Sequence, residues 1–203
     1  TSFYRGSFFC GPTLTTVIIF PPEKRSAGLL AEVINERLIF IRVIRNTIMR
    51  RDTMVIFRNA TAKDLSEIVR MLADDALGRE RERYENPLPE SYLKALESID
   101  ADENNELIVA CLGEEIVGVQ QITFTPYITH QGGWRATIEG VRTASTERGK
   151  GIGSKLIQYA IDRAKKRGCH IIQLTTDKKR EEALRFYERL GFKATHEGMK
   201  MKL

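Results

Sequence analysis

The stretch from Glu139 to Ser154, EGVRTASTERGKGIGS, limits what this chain can fold into more than any other part of it. It reads as strand, tight basic turn, then helix. Arg135 to Thr143 is rich in β-branched residues and reads as the strand. Arg148-Gly149-Lys150-Gly151-Ile152-Gly153 is the turn. From about Ser154 to Arg167, Leu156, Ile157, Ala160, Ile161 and Ala164 recur at helical spacing, and Gly168 stands where a C-terminal cap belongs. Glycines let the backbone turn sharply and leave N–H groups uncovered. Here those groups would sit at the positive end of a helix dipole, beside Arg148 and Lys150. Such a place suits a phosphate or pyrophosphate.

Three phosphate-binding patterns can be compared with it. A P-loop requires Gly-x-x-x-x-Gly-Lys-Ser/Thr, which these residues do not fit. A dinucleotide fingerprint requires Gly-x-Gly-x-x-Gly, whereas the glycines here fall as Gly-x-Gly-x-Gly. Arg-x-x-Gly-x-Gly after a strand resembles the acetyl-CoA loop of the GNAT superfamily of acyl-CoA N-acyltransferases. A second match lies downstream. Ala183-Leu-Arg-Phe186-Tyr187-Glu-Arg-Leu-Gly191-Phe192 is similar to the last helix of that family, and the two motifs come in the family's order. The resemblance covers roughly Met54 to Leu203.

The resemblance implies an α/β fold with a mixed, mostly antiparallel central sheet flanked by helices. It implies acetyl-CoA as acyl donor and a primary amine as acceptor. Val141, Arg142 and Thr143 match the strand segment that pairs with the pantetheine arm. Arg148, Gly149, Lys150, Gly151, Ile152, Gly153 and Ser154 match the pyrophosphate loop. Tyr187 matches the tyrosine that often protonates the leaving thiolate, and Glu139 is the best candidate base. One departure stands out: Arg180 occupies a position where the family often has Asn in contact with the cofactor. A non-catalytic acyl-CoA sensor on the same fold is the alternative reading, and Arg180 favours it.

The residues support parts of this independently. Acyl transfer to an amine needs a base, because an alkyl ammonium has a pKa near 10.4. It also needs a proton for the departing thiolate. A phenol is protonated at neutral pH, so Tyr187 can supply that proton. Glu139 would serve better as a base if it were desolvated, which raises a carboxylate pKa. It could equally be a structural partner of Arg135 or Arg142. Cys111 and Cys169 have no base placed beside them by sequence, so a covalent acyl-enzyme is not expected and direct transfer in a ternary complex is.

Along the rest of the chain, Met54 to Asn59 reads as a strand and Thr61 to about Ala76 as a helix. Gly78 to Asn86 reads as a solvated loop and Glu90 to Ile99 as a second helix. Glu106 to Leu112 and Glu115 to Thr125 read as a hairpin turning at Gly113-Glu114. Cys169 to Thr175 reads as a buried strand and Arg180 to Leu190 as a helix. Phe192 to Thr195 and Gly198 to Leu203 read as strands that finish the sheet. Tyr127, Trp134, Glu85 and Tyr92 are candidates for lining an acceptor pocket.

Residues 1–53 stand apart, with eight Lys/Arg against four Asp/Glu, a balance of +4 out of the chain's +5. They read as an appended or upstream-translated segment, with Met54 as the ordinary start, or else as a helical arm that packs on the domain or on the second subunit of a homodimer. The remaining 150 residues are nearly neutral at +1 and hold no broad basic stripe for nucleic acid. Apolar runs are too short for a membrane span. Three scattered cysteines and three isolated histidines suggest neither a disulfide framework nor a metal site, and a cytoplasmic setting is the expectation.

Overall fold

The structure, a computed structural model, describes residues 54–202; the readings of residues 1–53 and of Leu203 lie outside them. Strands β1 (Val55–Asn59), β2 (Asn105–Leu112), β3 (Glu115–Pro126), β4 (Trp134–Thr143) and β5 (Ile171–Leu174) form one sheet in sequence order. The first four pair antiparallel, and β5 joins β4 in parallel. The helices are α1 (Leu65–Leu72), α2 (Ala76–Arg79), α3 (Glu90–Asp100), α4 (Ile152–Lys166) and α5 (Glu181–Arg189).

Two clusters of apolar side chains sandwich the sheet. On one face Ile68, Met71 and Leu96 from α1 and α3 meet Val109, Cys111 and Val119. On the other, Ile157, Ala160 and Ala164 of α4 meet Ile108, Ile122, Phe124, Ala136 and Ile138. Gly118 permits the close approach of α4, since a Cβ there would lie 2.8 Å from Leu156 Cδ1 and 3.1 Å from Arg142 O. α4 ends as its glycine predicts. Gly168 has φ +75°, and Cys169 N donates to Ala164 O at 2.9 Å while Gly168 N donates to Lys165 O at 3.0 Å. These are the paired bonds of a Schellman cap.

Several expectations are corrected. The helix expected through Ala76 stops at Leu72, because Asp75 caps a separate short helix by accepting from Gly78 N at 2.6 Å. Gly78 is buried rather than in a solvated loop, and a Cβ there would stand 2.1 Å from Leu72 O. β5 is not a buried strand. Among the described residues it pairs on one side only, at the sheet edge, and Ile171 is 46% exposed. No strand occurs among residues 192–202. Alternation alone does not make a strand where no neighbouring backbone pairs with it, and Met199 and Met201 are 96% and 82% exposed.

Candidate active site

The sheet opens between β4 and β5. Their parallel pairing runs from Arg135↔Ile171 to Ile138↔Leu174 and stops there, while β4 continues to Thr143. From Glu139 onward, one edge of β4 is paired with β3 and the other has no strand beside it among the described residues. The change coincides with a β-bulge. Between Gln121↔Glu139 and Val119↔Arg142, β3 advances through Gln120 alone while β4 spends Gly140 and Val141. Gly140 has φ +60°, a conformation that favours glycine, and it takes up the extra residue of the bulge. Gln120 fixes the other side of the bulge. It is fully buried and its Nε2 donates to Leu156 O at 2.9 Å.

Beyond β4 the chain makes a 3-10 turn at Ser145–Glu147 and enters α4 through Gly149 (φ +78°) and Gly151 (φ +83°). Gly151 is the N-cap, so the helix starts slightly earlier than the periodicity suggests, and Ser154 lies within its first turn rather than capping it. No side chain caps this end. The N–H groups of Ile152, Gly153 and Ser154 therefore have neither an intrahelical acceptor nor a capping oxygen. Arg148 binds Asp74 Oδ2 at 2.7 Å and Lys150 binds Glu147 Oε1 at 2.9 Å. Both are surface pairs of the kind worth little and easily exchanged.

α5 brings Tyr187 to the same place. A Cβ on Gly153 would lie 3.3 Å from Phe186 Cζ and 3.6 Å from Thr143 Oγ1, so the start of α4, the end of β4 and α5 converge there. Tyr187 and Val141 pack against the same apolar cluster. Burial pushes the Tyr187 phenol above its ordinary pKa, against the opposing charges of Arg142 and Arg180. The Tyr187 phenol thus stays protonated through the neutral range.

Glu139 lies beside the bulge and is exposed, not desolvated. Neither Arg135 nor Arg142 forms an ion pair with it among the described residues. Arg142 instead turns toward α1 and α2. Its Nη2 lies 3.7 Å from Asp75 Oδ2, and its Nη1 donates to Val141 O at 2.8 Å. Arg180, at the N-cap of α5, also reaches Asp75, with Nη2 2.7 Å from Oδ2. Asp74 and Asp75 are the residues that sequence reasoning missed. The readable signal was Asp75-Ala-Leu-Gly78, an acid at a helix start.

Tyr127 and Trp134 do not join the site. Both sit at the other end of β4, where Tyr127 hydrogen-bonds His170 and Trp134 packs under Arg167. Tyr92 is held by Arg83 N and Glu82 at 3.0 and 3.1 Å, and Glu85 pairs with Arg83. The thiols of Cys111 and Cys169 are both pushed up in pKa by burial, which keeps them protonated.

Comparison with known proteins agrees with this arrangement. The model of the Acetyltransferase (GNAT) family matches residues 71–192. A crystal structure described as a transcriptional regulator from Bacillus halodurans C-125 is 68% identical, with a TM-score of 0.72, covering 74% of this chain and all of that one. The aminoalkylphosphonate N-acetyltransferase of Salmonella typhimurium is 27% identical over 150 residues, which are 72% of this chain and 92% of that protein. The glucosamine 6-phosphate N-acetyltransferase of Trypanosoma brucei brucei is 33% identical over 88 residues, 43% of this chain and 58% of that protein. The chain belongs to the GNAT family of acetyltransferases.

Proposed function

We propose that the protein moves an acetyl group from acetyl-CoA to a primary amine by direct transfer in a ternary complex. The observation that carries this reading is the edge of β4 beyond Ile138, left unpaired among the described residues, next to a helix start with no side-chain cap among them. A strand edge without a partner offers N–H and C=O groups to an extended amide-bearing arm. An uncapped helix start offers N–H groups to a pyrophosphate. The two lie in line along the chain, and side chains leave open space around Gly149 and Gly151. The residues present therefore fit acetyl-CoA. Main-chain groups of Val141, Arg142 and Thr143 would hold the arm. Arg148, Gly149, Lys150, Gly151, Ile152, Gly153 and Ser154 would hold the phosphates.

Bound there, the donor supplies an activated acyl thioester. Tyr187 protonates the departing thiolate, its phenol kept neutral by burial. Glu139, being exposed, takes the ammonium proton through water rather than in a dry pocket. The thiols of Cys111 and Cys169 are kept protonated, so neither is an activated nucleophile, which supports direct attack. The Bacillus halodurans relative is described as a transcriptional regulator. In this chain residues 54–203 are nearly neutral, and nothing in that balance points to nucleic acid. No helix among the described residues is long and apolar enough to cross a membrane.

Acetyl-CoA should raise the melting temperature, because a ligand that binds only the native state stabilises it. Gly151→Val should abolish that shift, since φ +83° strains any branched residue. A shift with NADH or ATP and none with acetyl-CoA would contradict the reading.

A further inference from the structure

Asp75 is shared by two guanidinium groups at the open end of β4. Its Oδ2 sits 2.7 Å from Arg180 Nη2 and 3.7 Å from Arg142 Nη2, while its Oδ1 also caps Gly78 N at 2.6 Å. The longer distance is not a hydrogen bond. Arg142 is otherwise poorly provided for. Its Nη1 is used on the carbonyl of its own neighbour Val141, and its Nε is buried with no hydrogen-bond partner among the described residues. Its side chain is only 14% exposed. Two cations and one carboxylate leave positive charge uncompensated where solvent screens it weakly. Arg81 adds to it: burial, then the charges of Arg180 and Arg81, press the Arg142 pKa down against Asp75.

This charge lies at the α1–α2 junction, on the side of β4 away from α4. Val141 packs toward α4, whereas Arg142, the next residue along β4, reaches Asp75 between α1 and α2. Arginine forks match planar or tetrahedral oxyanions by paired hydrogen bonds.

We infer that the acceptor amine carries a compact oxyanion, a carboxylate or a phosphoryl-type group, which Arg142 and Arg180 bind in place of Asp75. The inference rests on the acyl-transfer reading and names the class of amine. Asp75 is then a stand-in for the ligand, holding the two arginines in position until the acceptor arrives. The same oxyanion chemistry could come from a cofactor phosphate, and the test separates the two sources.

The experiment compares four amines of similar length in the CoA-release assay: β-alanine, 3-aminopropylphosphonate, propylamine and 1,3-diaminopropane. The two oxyanion amines should show kcat/KM about tenfold or more above the others. Arg142→Gln should raise KM for the oxyanion amines about tenfold, well beyond any change in KM for acetyl-CoA. Asp75→Asn keeps a capping oxygen for Gly78 N but removes the competing charge, so KM for the oxyanion amines should fall severalfold. A merely structural Asp75 would not give that decrease. Release of CoA with propylamine or diaminopropane but not with the oxyanion amines sinks this inference and leaves acyl transfer standing. A change confined to the acetyl-CoA KM assigns the arginines to the cofactor and also overturns it. Release with none of the four sinks both readings.

Discussion

Phe192 folds back onto Tyr187: its N–H donates to Tyr187 O at 3.1 Å, and the two rings lie edge to face with centroids 5.9 Å apart. Gly191, at φ +93°, makes the reversal, and its own N–H donates to Glu188 O at 3.0 Å. This is a Schellman cap with its hydrophobic contact between C″ and C3. The Tyr…Gly-Phe signature is thus a helix stop that also seats the phenol.

Gly191→Ala should cost about 1 kcal/mol, lowering Tm by about 2–4 °C, because alanine must adopt a left-handed conformation. Gly168→Ala breaks the same kind of cap at the end of α4, far from Tyr187, and is the control. The two should lose similar stability, but only Gly191→Ala should lose kcat. Paired thermal melts and steady-state kinetics check this.

Tyr187→Phe should lower kcat by about 100-fold while changing KM little, the signature of a lost proton donor. Burial raises the Tyr187 pKa, so the acid form persists up to and beyond the ordinary phenol value near 10. The wild-type kcat should therefore show no alkaline fall from Tyr187 below about pH 10. Glu139→Gln should hurt most at low pH, where free amine is scarce. Profiles of kcat against pH for the three proteins test both statements.

The acid end of stability should be set in part by Asp64. Arg58 binds it through two contacts of 2.6 and 2.9 Å, and Thr61 N donates to it at 2.7 Å. The Arg58 hydrogen bond, opposed by burial and helped by Thr61, lowers the Asp64 pKa from 3.8 to about 2. A depressed carboxylate pKa contributes stability above the unfolded value, and that contribution is lost as pH falls from about 4 to about 2. With Arg58 partly exposed, about 1–2 kcal/mol is at stake. Urea unfolding of Asp64→Asn should flatten with pH across that window, while the wild type keeps declining.

What could be read from the sequence was local. The 3.6-residue spacing of Leu156, Ile157, Ala160 and Ala164 and the glycines at 149, 151 and 168 defined the turn, the helix and its cap, because each acts through its own backbone. Asp75 was not legible, because its partners Arg142 and Arg180 are 67 and 105 residues away and meet it only when the sheet opens. The position of β5 was also illegible. Ile171-Ile172-Gln173-Leu174 has the composition of a central strand, yet nothing in those residues says that no strand lies beyond them. Likewise Met199 and Met201 alternate with lysines as a half-buried strand would, and find no partner.

Release of free CoA from acetyl-CoA, followed by thiol titration with enzyme at substrate-like concentration, tests direct transfer to an amine most directly. With no amine present, the account predicts no release above spontaneous hydrolysis, and addition of a competent amine should start continuous turnover. A burst of CoA equal to the enzyme concentration before any amine is added would show an acyl-enzyme. Binding of acetyl-CoA with no release under any amine would show a protein that holds the donor without transferring it. Either result would contradict the account.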